Sequence, residues 1–428
     1  MPSSGRLSLL VAVALGAGMV GSMAACAGSS GTSPDAPGKT AGAPLTTLPR
    51  ALSSAETNVL QAANNFSFSL WGQLIDAQHD SNVFVSPLSA SFSLGMAMNG
   101  AAGTTLDEMR RTLGFGSAPM ADVDAGYKSL IGLLTTLDPS TTMQIANSIW
   151  YRNTFTFNQS FLNTGSSDFD ATIKPLDFDD TKASLAAING WVNDKTHGKI
   201  SSIVDEIRPE NVMFLVNAIY FNGSWRSRFD PAKTQSSTFH SVRGDQPAKL
   251  MHKENEHIAY RQTAAYQAVD LPYGDSAFAM TVVLPKPGND IDAVAASLTA
   301  DGWQQLTTNL HTTLVTLDLP KLTLSWSRSL IPDLQTLGMH AAFVPDGADF
   351  TGMSPDGRHL FISTVRQKTF VDINEEGTEA AAVTSTGVSV TSAPVTQIVR
   401  VDRPFIFAIR ERLSGTILFM GKIVRLPE

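Results

Sequence analysis

The chain has 428 residues, 43% of them hydrophobic and 16% charged, with a formal net charge of −8. This is ample material for a globular core, and so mild an acidity argues against a nucleic-acid binder. The only cysteine, Cys26, leaves no partner for an intramolecular disulfide and no thiolate metal site.

Length alone suggests roughly two or three domains, and no internal repeat is present. Residues 7–20, Leu-Ser-Leu-Leu-Val-Ala-Val-Ala-Leu-Gly-Ala-Gly-Met-Val, form a short apolar block behind Arg6. The block is too short for a comfortable membrane span and reads as the core of a signal peptide over residues 1–25. Cys26 follows at once in Ser22-Met23-Ala24-Ala25-Cys26. Small residues before a cysteine at this position resemble a bacterial lipoprotein cleavage box, which makes Cys26 the expected site of lipidation. The competing reading is an ordinary signal peptide cleaved near Ala25 or Ala27, with Cys26 incidental.

The stretch that follows is rich in Ala, Gly, Ser, Thr and Pro without an apolar period. Residues 26–52 are therefore read as a lipidated cysteine and a flexible tether, and residues 53–428 as the folded domain. A first helix is expected to start near Ser53 or Ser54. It carries Val59, Leu60, Ala63, Phe66, Leu70 and Trp71 on one broad apolar face.

Hydrolase signatures are absent: there is no Gly-x-Ser-x-Gly and no His-Glu-x-x-His. His252 and His257 lack the one-turn helical spacing of a zincin pair, and solvated histidines are the expectation. No metal site and no cofactor are expected. The Arg110-Arg111 pair is too little basic charge to suggest activation by a polyanion.

Near the C-terminus the pattern changes. Phe370, Val371 and Ile373 alternate among polar neighbours as a strand, and the chain then passes through two acids and a glycine into a run of small residues. No charge occurs between Glu379 and Arg400. In a strand, Thr378, Ala380, Ala382, Thr384, Thr386, Val388 and Val390 would share one face. Glu379, Ala381, Ser385, Gly387 and Ser389 would point to water. The segment reads as a loop able to become a buried strand.

At these residues the chain resembles the serpin family, in its bacterial inhibitory form. Glu375-Glu376-Gly377-Thr378-Glu379-Ala380-Ala381-Ala382 is similar to the hinge of an inhibitory serpin, and Asp402-Arg403-Pro404-Phe405-Ile406-Phe407 to the C-terminal signature. Asn82–Ser89, Leu215–Trp225, Val269–Tyr273, Met280–Pro285, Leu319–Leu322 and the closing strands Ile406–Arg410 and Thr416–Val424 fit in order. The resemblance spans residues 54–428. It overrides the length prior and implies one α+β domain with a large central mixed sheet, two further sheets, a bundle of helices and an exposed reactive loop at about residues 375–400.

The resemblance also implies a mechanism. A protease cleaves the loop, an acyl-enzyme forms, and the hinge inserts as a new strand that drags the attached protease away. Such a strand would run about 45 Å, and its burial with ladder bonds could release on the order of 10 kcal/mol. The uncut state is then held kinetically. Ser86, Ser89, Asn217 and Gln367 match polar positions beneath the middle of the sheet. The family often has a histidine where Gln367 stands, so a gate titrating near neutral pH is not expected. Ser86 ahead of Pro87 also reads as a helix cap. Trp225, Lys321 and Glu375 match the point where the loop enters the sheet, and Lys321 can pair with Glu375 across strands.

Counting fourteen residues from Gly377 places the reactive bond at Thr391-Ser392, with Val390-Thr391 and Ser392-Ala393 as alternatives. Each puts a small or β-branched uncharged side chain before the cut, which suits an elastase-like or subtilisin-like pocket and not a trypsin pocket. The expected partner is a serine protease, held as a covalent acyl complex by a monomeric inhibitor. The chain is expected to be exported and to face outside the cell envelope through a lipid anchor, or to be extracellular if not lipidated. The alternatives are a non-inhibitory serpin binding partners at the cell surface and a cross-class inhibitor of cysteine proteases.

Overall fold

The described residues of this computed structural model are 42–378 and 396–427. They begin with a docked strap. Leu45, Leu48 and Leu52 pack against the core, and the Leu45 amide donates to the Asp275 carbonyl at 2.6 Å. Arg50 donates to both oxygens of Glu56, at 2.7 and 2.6 Å. The flexible tether expected over 26–52 therefore needs correcting from Gly42 onward. Three leucines spaced along a stretch of mostly small residues and prolines cover apolar surface, and the strap is held down.

The first helix, α1 (Ser54–Ala77), starts where expected. Ser53 accepts from the Glu56 amide while the Glu56 carboxylate accepts from the Ser53 amide, forming a capping box. Arg50 holds the Glu56 carboxyl down at about 2 against the opposing effect of burial. All six residues of its expected apolar face are buried. The other helices are α2 (Pro87–Met98), α3 (Gly103–Leu113), α4 (Met120–Thr136), α5 (Gln159–Phe169), α6 (Thr181–Lys195), α7 (Ile291–Ser297), α8 (Ala300–Thr308) and α9 (Ile331–Thr336). Every residue of α2 is buried, because it lies between two sheets. No helix among the described residues is long and apolar enough to cross a membrane.

One sheet has six strands. In spatial order they are β10 (Leu322–Ser329), β11 (Thr364–Ile373), β12 (Gly377–Thr378), β4 (Met213–Ser224), β2 (Thr142–Arg152) and β3 (Thr172–Leu176). The pairing is mixed: β2 is parallel to β3 and antiparallel to β4. The main core and α2 lie on one face. On the other, α6 covers a smaller cluster that includes Trp150, Ile188, Val192 and Phe214.

The second sheet runs β1 (Val83–Val85), β15 (Ile417–Ile423), β14 (Phe405–Glu411), β8 (Phe278–Pro285), β7 (Tyr266–Pro272), β6 (Gly244–Gln262), β9 (His311–Pro320) and β13 (Gln397–Arg400), with β5 (Gln235–Ser241) also on β6. The α+β single domain is as expected, but the two further sheets are joined into this one. The 19-residue β6 runs through both halves. Its register shifts between Lys253 and Glu256, where Asn255 adopts φ 54°, so a bulge bends the strand without ending it. His252 lies just before the bulge. Its Nδ1 is 2.8 Å from Asp318 Oδ1, so it is paired and half-buried instead of solvated. His257, beyond the bulge, is exposed.

Candidate functional site

Strand β11 alternates strictly, with Val365, Gln367, Thr369, Val371 and Ile373 facing the core. Phe370 faces the α6 side, where Lys199 Nζ lies 5.6 Å from its ring centre. Beyond Ile373 the chain turns at once. The Asn374 amide donates to the Gly377 carbonyl at 3.0 Å, and the Asn374 side chain accepts from the Glu376 amide at 3.0 Å. The turn lays Gly377 and Thr378 back into the same sheet as β12, between β11 and β4.

The register defines a wedge. Gly377 pairs with Ser224, and Thr378 pairs with Gly223 on one side and Ile373 on the other. Further down, β11 and β4 pair directly and in parallel, at Thr364–Arg366 against Phe214–Val216. Between these points the two strands are not paired to one another. A narrow slot bordered by Ile219, Phe221, Val371 and Thr378 occupies part of the gap. Residue 377 must be glycine at this approach: a Cβ there would lie 2.2 Å from the Gly223 carbonyl oxygen.

The upper end of the wedge is held by several groups. Trp225 donates from its backbone to the Glu376 carbonyl at 2.8 Å and from Nε1 to the Asn374 carbonyl at 2.9 Å. The Phe229 amide donates to the Glu375 carbonyl at 3.0 Å. Lys321 Nζ lies 2.7 Å from Glu375 Oε2, and Thr234 Oγ1 donates to Oε1 at 2.7 Å. Burial pushes the Glu375 carboxyl up, but its bonds to Lys321 and Thr234 outweigh that effect and hold it below the usual range. Arg228 Nη1 lies 2.8 Å from Glu376 Oε2. Sequence reasoning named Trp225, Lys321 and Glu375; the structure brings them together and adds Thr234, Arg228 and Phe229.

Tyr273 is also an addition. Its ring stacks on Trp225 with centroids 4.5 Å apart, and its hydroxyl lies 2.6 Å from Thr378 Oγ1. Burial pushes its phenol well up, so it stays a neutral hydrogen-bonding group.

The lower end of the wedge is polar and buried. Asn217 and Gln367 each follow the last directly paired residue of their strands, Val216 and Arg366. The Ser86 amide donates to Gln367 Oε1 at 2.8 Å, and Gln367 Nε2 donates to the Ser86 carbonyl at 2.7 Å. Ser86 Oγ donates to the Leu418 carbonyl at 2.7 Å and accepts from the Ser89 amide at 3.4 Å as the cap of α2. Ser89 Oγ donates to Asn217 Oδ1, and Asn217 Nδ2 donates to Asn147 Oδ1. All four expected residues meet here, with every partner supplied. Asn147 was missed; the signal was a polar Asn147-Ser148 pair inside the otherwise apolar run from Ile145 to Tyr151.

Glu379, Ala380, Ala381, Ala382, Thr391, Ser392 and Cys26 lie outside the described residues.

A family model described as Serpin (serine protease inhibitor) matches residues 61–426. A serpin-like protein of Thermococcus kodakarensis is 34% identical over 379 residues, covering 86% of each chain. Among solved structures, a thermophilic serpin, tengpin, in its native state superposes with a TM-score of 0.79 at 31% identity, covering 91% of this chain and 98% of its own. Human thyroxine-binding globulin complexed with thyroxine gives a TM-score of 0.81 at 28% identity, covering 88% and 100%.

Proposed function

The chain belongs to the serpin family, whose members are typically protease inhibitors, and we propose that it inhibits serine proteases as a suicide substrate. The observation that supports this most is the seating of Gly377 and Thr378 between two strands that part below them. A loop whose first residues already lie in the sheet has its insertion path laid out. Thr378, Ala380 and Ala382 would put small side chains on the inward face, so entry meets little steric resistance.

The attacking protease serine forms an ester with the Thr391 carbonyl. The Thr391-Ser392 amide breaks, and the Ser392 amine leaves with a proton. Insertion then competes with hydrolysis of the ester. As the strand advances, β11 and β4 must separate further, and the Asn217 and Gln367 contacts must exchange partners. No catalytic side chain of this protein is required. The uncharged residues around the cut favour an elastase-like or subtilisin-like target over trypsin. A cysteine protease could be held by a thiol ester in the same way. The inhibitor acts as a monomer, exported and anchored through Cys26, or free outside the cell if Cys26 is not lipidated. Nucleic acid has no part in this reading.

Likeness to thyroxine-binding globulin favours one second reading, a serpin that binds partners without trapping proteases. Incubation with a panel of serine proteases separates the two. We expect a complex that survives denaturing electrophoresis, a released peptide that begins within residues 391–393, and a much higher melting temperature after a single cut in the loop. Clean cleavage with no complex and an unchanged melting temperature would sink the inhibitory reading.

A further inference from the structure

The hinge anchor hangs on one short segment, Trp225 to Phe229. Its donors reach consecutive residues of the hinge. Trp225 Nε1 bonds the Asn374 carbonyl, the Phe229 amide bonds the Glu375 carbonyl, and both the Trp225 amide and Arg228 Nη1 bond Glu376. The middle of the segment is gripped from the other sheet by a buried cation. Lys253 Nζ donates to the Ser227 carbonyl, Ser227 Oγ and the Arg228 carbonyl at 2.5, 2.7 and 2.9 Å. Each ammonium proton thus has an acceptor. The same group lies 4.8 Å from the Phe229 ring centre.

Lys253 is 6% exposed, between the half-buried His252 and the exposed Glu254 of β6. A buried ammonium is costly unless its charge is matched and its protons are bonded. Both conditions are met, because the Glu256 carboxylate just beyond the bulge opposes its charge. An apolar side chain fills an inward strand position at lower cost, yet it cannot grip carbonyls. The backbone of Lys253 is itself fixed in mid-sheet. It pairs with Leu317 of β9, which pairs on its other side with Val399 of β13.

We propose that Lys253 is a positioning residue for loop insertion. Its ammonium sets the segment from Trp225 to Phe229 so that the donors at both ends stand opposite their acceptors on residues 374–376, and β12 stays seated. It acts through that segment and not on the reactive bond. Lys253 also joins the two roots of the loop: its side chain holds the segment behind β12, and its backbone is linked through Leu317 to β13. Without the ammonium, β12 leaves the sheet more often. Insertion then starts late, while hydrolysis of the acyl-enzyme does not. The effect on trapping rests on the inhibitory reading; the effect on the hinge needs no protease.

Hydrogen exchange of the full chain tests the hinge directly. Lys253→Met keeps the length of the stem and removes every donor. Exchange at residues 377 and 378 should quicken at least about tenfold, equal to about 1.4 kcal/mol, with the β2 and β4 amides unchanged. Lys253→Arg keeps a cation with several donors, and the cavity of about 180 Å³ beside Lys253 leaves room for the longer side chain. It should restore most of the protection. A role in packing alone gives the opposite order, because methionine matches the lysine stem and arginine does not. With a serine protease that forms the complex, Lys253→Met should raise several-fold the inhibitor consumed per trapped enzyme, at an unchanged rate of loop cleavage. Unchanged exchange in Lys253→Met, or better protection from methionine than from arginine, overturns the proposal. If Lys253→Met does not fold, Ser227→Ala, at an exposed residue, decides in its place: the same amides should quicken, and unchanged exchange overturns the proposal. Faster exchange in the variant, with no covalent complex even from the unmutated chain, supports the role at the hinge and removes the inhibitory reading instead.

Discussion

The hydroxyls of Tyr273 and Thr378 lie 2.6 Å apart, and both residues are almost wholly buried. This bond ties the side chain of Thr378, in β12 between β11 and β4, to a residue just beyond β7 of the second sheet. Tyr273→Phe keeps the ring stacked on Trp225 but leaves the Thr378 hydroxyl without its partner. The loss is expected to be about 1–3 kcal/mol. Hydrogen exchange at residues 377 and 378 should quicken by roughly 5-fold to 150-fold, with little change elsewhere in the sheet. Unchanged exchange would show that backbone pairing alone holds the hinge.

Thr378→Arg should convert the inhibitor into a substrate. Thr378 is 3% exposed, and a guanidinium at that position must be desolvated or stay out, at a cost of at least about 2 kcal/mol. Insertion slows while hydrolysis of the acyl-enzyme does not. The ratio of covalent complex to cleaved product on denaturing gels measures the outcome. An undiminished yield of complex would rule out Thr378 as the first inserted residue.

The hinge anchor is expected to weaken in acid and not near neutrality. The Glu375 carboxyl is held below its usual range in the folded chain, while an unfolded glutamate titrates near about 4.3. Its stabilising contribution is therefore complete above the unfolded value and is lost as pH falls through the lower, folded one. Hydrogen exchange at residues 377 and 378 should be flat from pH 8 to pH 5, once corrected for intrinsic rates, and should rise below about pH 4. Glu375→Gln should remove the acid-dependent rise. A transition between pH 6 and pH 7 would show that a group other than Glu375 controls the anchor.

Thr391→Arg should redirect the inhibitor toward trypsin-like proteases, whose pocket pairs a buried acid with a basic side chain. Association rates with trypsin and with an elastase-like enzyme, measured for both forms, give the comparison. Rapid inhibition of trypsin by the unmutated chain would show that the reactive bond lies elsewhere.

Cys26→Ser should move the protein from the membrane fraction to the medium. Fractionation of expressing cells, with mass spectrometry of the mature N-terminus, reports the result. An unmutated protein found free, starting at Ala27 or later, would remove the anchor from the proposal.

Several features were legible in the chain alone because they depend on local chemistry. Ser86 ahead of Pro87 announced a cap, since a short hydroxyl side chain satisfies backbone amides within three residues. The apolar face from Val59 to Trp71 followed from helical periodicity. The run of small residues after Gly377 underlies the proposed insertion, because a strand that must slide between others cannot carry bulk.

Other features required the tertiary structure because they join distant residues. The resemblance singled out Gln367, but only the fold shows that its amide meets the Ser86 backbone, 281 positions away. Tyr273 sits 105 residues before Thr378, and nothing near it in sequence indicates which hydroxyl it will meet. Residues 42–52 sit in a stretch rich in Ala, Gly, Thr and Pro that reads as a tether, yet Leu45, Leu48 and Leu52 each find apolar surface on the domain. A bulge carries β6 through both halves of the larger sheet, a continuity composition does not specify. Residue types determined which groups could bend, cap, slide or pair; the packing of remote segments decided where those groups meet and which burials are compensated.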